Sequence, residues 1–522
     1  MNTPSDIIEL KTLKIIRGGK QSMLKLISKY LVNQEHCGSG IKESIEMCEA
    51  KFRQILSEIL EGGSKEAHKV EAHIFKRLME LGLLLLNLFF IKQNKGNYGE
   101  RINTPKGIAK RGRVSERGYF SIFGKLRIER YMYHIGEESF SQLDILLNLP
   151  TRCYSYFLSE MVNLLNIKGA YAEGAIFLER FFNITLSVSA AETISSEGSM
   201  SYEHYYDSRD SGYTTKEGDL TVVSFDGKGV PMIKKEAAQI KSRQGKGEKR
   251  QKKKEALVGV GYTINPNIRT PEEVANNLIF PEDRKNKQVQ KAKAQDIRYI
   301  ASVERPKKEV MEEIKAEIKD KSFDSEPLIC VMDGAKSIWN IFKDVFAQIK
   351  NKVLILDIIH VLEYIWLIAH MKYKEGSNEA KAYVYEKLLL ILKGKVASYI
   401  MELQKEMCTG DWKKAQLGKF TKVITYLKNH KEYMKYDQYL SCGYPIGTGV
   451  VESACSHVVK NRMEISGARW GIPGAESILR LRSIVKSNDW DKYWEFYTQQ
   501  ARRGDLLSAE ANSINLKHKK AA

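Results

Sequence analysis

Three acidic residues of this 522-residue chain stand where carboxylates can do phosphate chemistry. Asp226 closes the β-branched run Thr221-Val-Val-Ser-Phe-Asp226-Gly, Asp333 closes Pro327-Leu-Ile-Cys-Val-Met-Asp333-Gly, and Glu452 lies in the first turn of a helix expected over 450–463. A carboxylate at a strand end sits at the rim of a sheet, where ligands gather, and two such strands can set their acids side by side. Carboxylate oxygens are preferred ligands of Mg²⁺, which keeps several waters and is commonly completed by phosphate oxygens. Two ions about 3.5–4 Å apart can activate a water or a 3′-hydroxyl and stabilise the leaving oxygen of an in-line displacement. Glu452 near a helix N-terminus is held ionised by the helix dipole. The plain alternative is a pair of turns, because Asp226-Gly227 and Asp333-Gly334 are also ordinary turn signals. A third run, Lys352-Val-Leu-Ile-Leu-Asp357, ends the same way and leads into a helix carrying His360, a position that suits a cap or a packed residue as well as a ligand.

Cations accompany the acids. Between Ile233 and Ala256 ten Lys and Arg, among them Lys246, Arg250, Lys252, Lys253 and Lys254, face three Glu, a local excess of +7. As a free segment this reads as a solvated, disordered loop; beside an acidic site it suits phosphate-backbone contact through counterion release. Lys460 and Arg462 follow Glu452 on its helix, and Arg469-Trp470 comes just after. These cations can clamp a flanking phosphate and Trp470 can stack on an unpaired base; the bland reading is solvent-facing charge and a core tryptophan. The whole chain carries +19, from 83 Lys plus Arg against 64 Asp plus Glu. That favours a polyanionic partner, nucleic acid first and an anionic membrane surface second. The longest apolar run, Leu81 to Ile91, falls short of the roughly 18–20 residues of a bilayer span, and no basic amphipathic helix with an aromatic apolar face stands out, so no membrane partner is expected. Met1 to Glu9 lacks a secretory pattern, and seven dispersed cysteines without a Cys-x-x-Cys pair suit neither a zinc ribbon nor a disulfide framework. The reducing cytoplasm is the expected compartment.

The elements that must position these residues follow from periodicity. A composition of 43% hydrophobic and 28% charged residues excludes a wholly disordered or fibrous chain, and the length suggests about three domains. Ile45, Phe52, Ile55, Leu56, Ile59 and Leu60 recur at helical spacing, then Gly62-Gly63 breaks the pattern before a second helix to Phe90; the two can pair within a monomer or across a dimer. A polar linker is expected from Lys92 to Arg117. Tyr119 to Tyr133 alternates around Gly124, with Leu126, Ile128 and Met132 on one face and Arg127 outside, as in a β-hairpin. Tyr171–Phe182 and Val188–Ser196 resemble a helix-turn-helix, with Ser187 as N-cap and Ser189-x-x-Glu192 as a capping box, a signature shared by any tight helical hairpin. Strands are expected at 221–226, 229–234, 256–264, 327–332 and 352–357, helices at 307–321 and 336–349, and a nearly continuous helical stretch from 361 to 440 broken at Gly394 and Gly410-Asp411.

Four blocks carry a resemblance. Val223-Ser-Phe-Asp226-Gly-Lys-Gly-Val-Pro-Met232, Val331-Met-Asp333-Gly-Ala-Lys, Leu356-Asp357-Ile-Ile-His360-Val-Leu-Glu-Tyr-Ile-Trp366 and Gly443-Tyr-Pro-Ile-Gly-Thr-Gly-Val-Val-Glu452-Ser-Ala-Cys, continuing through Val459-Lys-Asn-Arg-Met463 to Ser466-Gly-Ala-Arg-Trp470, resemble bacterial insertion-sequence transposases of the ISKra group. The resemblance spans about Tyr119 to Tyr497. It implies an α/β catalytic core, a ribonuclease-H-like mixed sheet with flanking helices, interrupted by an all-helical insertion; the periodicity above adds a mainly helical N-terminal region with a small β-hairpin. It implies a DDE triad of Asp226, Asp333 and Glu452 holding two Mg²⁺, with Mn²⁺ as a substitute, and an auxiliary role near the scissile phosphate for Asp357 and His360. Asp357 is the one rival to Asp333 for the second metal position. Partners would be double-stranded DNA, both terminal inverted repeats and target, bound by a homo-oligomer in the nucleoid. The expected organisation is a helical oligomerisation region over 1–95, linker and hairpin over 96–135, a helix-turn-helix-like region over 136–215, core over 216–360, insertion over 361–442, the catalytic-Glu helix over 443–500 and a disordered tail over 501–522. A structure-selective nuclease and a domesticated, non-catalytic DNA-binding regulator are the alternatives.

Overall fold

The computed structural model describes residues 39–61, 66–209, 220–240, 252–281, 292–318 and 323–503. Lys246, Arg250, the Gly62-Gly63 break and the tail beyond 503 lie outside the described residues. The chain divides into two compact units, one of residues 1–158 with 177–185, the other of 159–176 with 186–522. That division groups the expected 1–95 and 96–135 regions together, and it puts core, insertion and catalytic-Glu helix into one body.

In the first unit α1 (Ser39–Glu61) and α2 (Ala67–Lys92) pair within the monomer. Arg77 donates to both oxygens of Glu58 at 2.8 and 2.9 Å, and Lys51 pairs with Glu80. The expected polar linker is largely strand. β1 (Arg101–Thr104), β2 (Gly107–Ser121), β3 (Gly124–Ile135) and β4 (Glu138–Phe140) form an antiparallel sheet in chain order, so the anticipated hairpin is its central pair. The first half of β2 is mostly exposed and rich in Lys, Arg and Gly, so its period of two carries no hydrophobic contrast. Leu126 and Ile128 are buried as expected, but Met132 is only half-buried, opposite a bulge in β2. Gly82 of α2 lies under the Phe123 ring, where a β-carbon would come within 2.5 Å of it.

The α-helices α3 (Gln142–Leu146), α4 (Tyr156–Asn166), α5 (Tyr171–Phe182) and α6 (Val188–Gly198) follow. Ser187 caps α6 by accepting from Ala190 N at 3.1 Å. The expected Ser189–Glu192 box is not the cap, because with Ser187 as N-cap the third helical residue is Ala190. α6 buries Ala191, Ile194 and Ser195, and the Asn166 amide donates to Ala191 O and Ser195 Oγ. This face therefore packs.

After α7 (Tyr202–Ser208), the second unit is built on β5 (Leu220–Pro231), β6 (Lys253–Ile264), β7 (Gln295–Ser302), β8 (Leu328–Met332) and β9 (Lys352–Leu356), in spatial order β7-β6-β5-β8-β9. β7, β6 and β5 are mutually antiparallel; β5, β8 and β9 are parallel. One sequence expectation fails here, and one strand is unanticipated. Thr221–Asp226 and Gly229–Lys234 are one strand, because Leu220 to Pro231 pairs with Ile264 to Lys253 without a break. Asp226-Gly227 is thus no turn. β7 carries no readable signal, since a buried Arg298 interrupts its apolar run. The basic segment is also more ordered at its ends than a loop, with α8 (Lys234–Gln239) on one side and β6 beginning at Lys253 on the other.

Alternation along the strands makes two apolar faces. Val223, Phe225, Leu257, Cys330 and Met332 pack on α10 (Lys307–Glu317), which follows α9 (Pro271–Ile279), and on α11 (Lys336–Val345). Val222, Val258, Val260, Val331 and Ile355 face α12 (Ile358–Lys372) and the helices after it. As expected, the segment from 361 to 441 is helical, with α13 (Asn378–Leu392), α14 (Val396–Thr409), α15 (Lys414–His430) and α16 (Tyr436–Ser441). α17 (Gly449–Ala454), a π-helical stretch (Cys455–Lys460), α18 (Asn461–Met463), α19 (Ile472–Lys486) and α20 (Trp490–Arg503) complete it; α20 runs into the tail expected from 501.

Candidate active site

The strand acids share one level of the sheet. β5 pairs with β8 with Val223 opposite Cys330, an offset of 107 positions, and β8 pairs with β9 with Met332 opposite Leu356, an offset of 24. Carried forward by those registers, Asp226, Asp333 and Asp357 fall abreast on three neighbouring parallel strands. Parity puts them on the Val222–Val331–Ile355 face. Glu452 arrives on that same face from the turn at 443–448, which runs along the start of α12: Ile358 N donates to Ile446 O at 3.0 Å and Thr448 N to Asp357 Oδ1 at 3.3 Å. Val451 and Ala454 are buried beneath α17, leaving Glu452 exposed.

The four acids are held differently. Asp357 is fully buried and saturated. Its Oδ1 accepts from Ile359 N and Thr448 N, capping α12, and its Oδ2 accepts from Thr448 Oγ1 at 2.7 Å and His360 Nδ1 at 2.8 Å. The half-buried Asp333 uses one oxygen on Ala335 N at 3.0 Å, and its other oxygen has no partner among the described residues. Asp226 accepts from its own neighbour Gly227 N at 2.6 Å and from the Cys455 thiol at 3.2 Å. Glu452 Oε1 lies 2.9 Å from Thr448 Oγ1. Thr448 therefore stands between two carboxylates with one proton to give.

Charge follows geometry. Burial, with Asp226 and Asp357 adding to it, raises the Asp333 carboxyl above its usual range against the pull of Ala335 N and His360. The hydrogen bond to Asp357 lifts His360 to about 9, so at neutral pH it is an imidazolium. Burial, then Asp226, pushes the Cys455 thiol well up, and Lys228 opposes that rise from the same strand as Asp226. A carboxylate whose ionisation is opposed by burial and by neighbouring carboxylates, as at Asp333, is a donor that a divalent cation stabilises.

Asp357, His360 and Glu452 also bring ligand atoms within 4.8 Å of one another, the one such group among the described residues. Of the three expected metal ligands Asp226, Asp333 and Glu452, only Glu452 belongs to this group. Both Asp357 oxygens already accept hydrogen bonds, whereas Asp333 keeps one oxygen without a partner among the described residues.

The expected DNA contacts divide. Lys252 and Lys253 are exposed, with Lys253 paired to Glu464, and Lys254 is half-buried. Lys460 and Arg469 are exposed. Arg462 and Trp470 are not surface contacts. Arg462 is 2% exposed, donates to Asn166 O at 2.6 Å and lies over the rings of Tyr171 and Trp470. Trp470 is 5% exposed, its indole donates to Met463 O, and its backbone bonds Pro231 and Ile233. The cause is the π-helical stretch, whose extra residue per turn rotates everything after it and turns position 462 inward. Arg482 of α19 satisfies the His457 and Val458 carbonyls of that stretch. Thr448, Cys455 and Lys228 were not singled out from sequence. Cys455 had a signal, three residues past Glu452 on one helix face; Thr448 had none for its partner, 91 positions away.

Neither a protein-family model nor a curated protein matches the chain. The class defined by the fold is mixed α/β, with helices on both faces of a five-stranded sheet. Among the described residues no helix is long and apolar enough to cross a membrane.

Proposed function

We propose that the protein is a DDE-type DNA transposase with a ribonuclease-H-like core, binding the ends of an insertion sequence and catalysing metal-dependent cleavage and strand transfer. The observation that carries this is the level row of Asp226 and Asp333 on adjacent parallel strands, with Glu452 brought to the same face through Thr448. The sheet order supports it: a central first strand, two antiparallel strands on one side and two parallel strands on the other. Asp226, Asp333 and Glu452 would hold Mg²⁺, or Mn²⁺ in its place, which supplies charge neutralisation at the phosphate and activation of a water or 3′-hydroxyl. The chain's own contribution is placement. Asp357 fixes the start of α12, orients His360 and ties Thr448 to the sheet, so that Glu452 meets the strand acids in a set position. The +19 net charge and the exposed Lys252, Lys253, Lys460 and Arg469 suit contact to both DNA strands' phosphates. Exposed Met47, Leu60, Leu78 and Leu85 on α1 and α2 favour self-association on DNA, and a nucleoid-associated, cytoplasmic location follows from the activity.

The test is Mg²⁺-dependent cutting of a plasmid carrying the DNA that flanks the coding region, followed by joining of pre-cut ends to a target. Asp226→Asn, Asp333→Asn and Glu452→Gln should each lower cutting by about three orders of magnitude or more while leaving DNA binding in place. Cutting without joining would make the protein a nuclease. Binding without cutting by the wild type would leave a DNA-binding regulator.

A further inference from the structure

Besides His360 of α12, the helical segment between β9 and the turn at 443–448 brings a side chain of α15 to the acid row. Tyr426 of α15 stacks on Tyr364 of α12, with ring centroids 3.9 Å apart and planes at 18°. Its outer edge lies against Gly334, the residue directly after Asp333: a β-carbon there would come within 2.6 Å of the Tyr426 ring and 2.7 Å of its hydroxyl oxygen. His430, one turn on, fixes the helix at this point, with Nδ1 2.8 Å from Tyr426 O and its ring 4.5 Å from the phenol ring. The hydroxyl so delivered is buried and has no hydrogen-bond partner among the described residues. Tyr436, on the next helix, shows the usual arrangement, donating to Leu356 O at 2.8 Å.

A buried hydroxyl without a partner costs stability, and its persistence calls for a reason. Packing does not provide one, because phenylalanine would stack on Tyr364 equally well. Nor is the hydroxyl paired with Asp333, although that carboxylate also has an oxygen to spare. A ligand that takes a cation on the carboxylate side and presents an anionic oxygen to the phenol would satisfy both groups. Lys422, one turn earlier on α15, extends over the Tyr364 ring at 5.6 Å and adds positive charge on this side of the row.

We propose that Tyr426 is a catalytic residue whose hydroxyl donates a hydrogen bond to a non-bridging oxygen of the phosphate being cut beside Asp333. The inference rests on the phosphodiester reading above. The donor is preorganised by the Tyr364 stack and the Gly334 contact, and it acts where negative charge builds as the bond breaks. The helical segment is then a wall of the active site, and Gly334 is glycine because the phenol occupies the space of a side chain.

Tyr426→Phe in the full-length protein separates the roles. The melting temperature should stay level or rise by about 1–2 °C, since an unsatisfied buried group is removed. Affinity for end-containing duplex should be unchanged, and single-turnover Mg²⁺-dependent cleavage should fall about 100-fold. Wild-type cleavage by the variant overturns the proposal, as does a lower melting temperature, which would reveal a structural partner for the hydroxyl. Asp333→Asn in parallel tells the two readings apart. If the wild type cuts, Asp333→Asn does not and Tyr426→Phe does, only the role of Tyr426 falls; if the wild type makes no Mg²⁺-dependent cut, the phosphodiester reading falls and takes this inference with it.

Discussion

At the β7 edge of the five-stranded sheet, Arg298 is 3% exposed and donates to Glu313 at 2.7 Å and Glu317 at 3.0 Å, with the Tyr206 ring 3.5 Å away. Arg209 pairs with Glu317 and Asp489, Arg305 with Glu313, and Glu476 accepts from Ser302 Oγ and Val303 N. On β5 and at the ends of β8 and β9 of the same sheet, Asp226, Asp333 and Asp357, with Glu452 from α17, lie near His360 and Lys228. The first cluster nearly balances charge. Burial opposes the Arg298 charge, yet Tyr202, Tyr206, Glu313 and Glu317 outweigh it and hold its pKa well above the usual value. The second is acid-rich and half-open, and Asp333 keeps a carboxylate that the fold disfavours. A cavity of about 340 Å³ lies beside the first cluster, and of its lining acids, Glu203, Glu313 and Glu317 are paired with Arg480, Arg305 and Arg209. Buried charge that is paired secures a conformation; charge left unbalanced at an open face leaves room for a ligand.

The sharpest break in that comparison comes from one substitution in each cluster. Asp333→Asn should abolish cutting while the fold becomes slightly more stable at neutral pH. The folded pKa of Asp333 is raised, so its ionisation destabilises the native state and stability is regained as pH falls through that pKa. Arg298→Met should cost about 3–5 kcal/mol, because Glu313 and Glu317 lose the buried cation they share and keep only Arg305 and Arg209. Urea melts and plasmid cleavage on both proteins check this, and a destabilised Asp333→Asn would erase the contrast.

Asp357→Asn should fall between the two. Asp357 belongs to the acid row by position and to the structural kind by its four hydrogen bonds, so both stability and cleavage should drop, cleavage by about 10–100-fold. The pair also sets a pH window. His360 titrates at about 9 in the fold against an ordinary value near 6.5. Its contribution is therefore fully present below about pH 6.5 and lost as pH rises through 9. The melting-temperature gap between wild type and His360→Gln should be widest near pH 6 and close by pH 10.

The smallest effects concern the cations after Glu452. Lys460→Ala and Arg469→Ala should each weaken DNA binding and lower its salt slope by about one. Arg462→Ala should lower stability and leave the slope alone, because its guanidinium is spent on Asn166 and two rings.

Much of the second unit was legible because its signals are local. Strands β8 and β9 announce themselves as apolar runs closed by Asp333 and Asp357, the helices of 361–441 by their period, and the helix of Glu452 by the glycine-rich turn before it. The misreadings have physical causes too. Asp226-Gly227 has the chemistry of a turn, yet an unbroken ladder with β6 holds it extended. Arg298 hid β7 because a charged residue at a core position makes sense only when Glu313 and Glu317, from a later helix, are beside it.

By itself, then, the sequence determined which residues carry charge, which strongly periodic segments become strand or helix, and that acids close two of the parallel strands and open a helix. Those are matters of composition and of periods two and 3.6, which act over a few residues. Tertiary structure alone decided that registers of 107 and 24 positions set Asp226, Asp333 and Asp357 abreast, that Thr448 links Asp357 to Glu452, and that a π turn sends Arg462 inward. Strand register and helix phase depend on which distant surfaces bury one another, and that is settled only when the whole chain is folded.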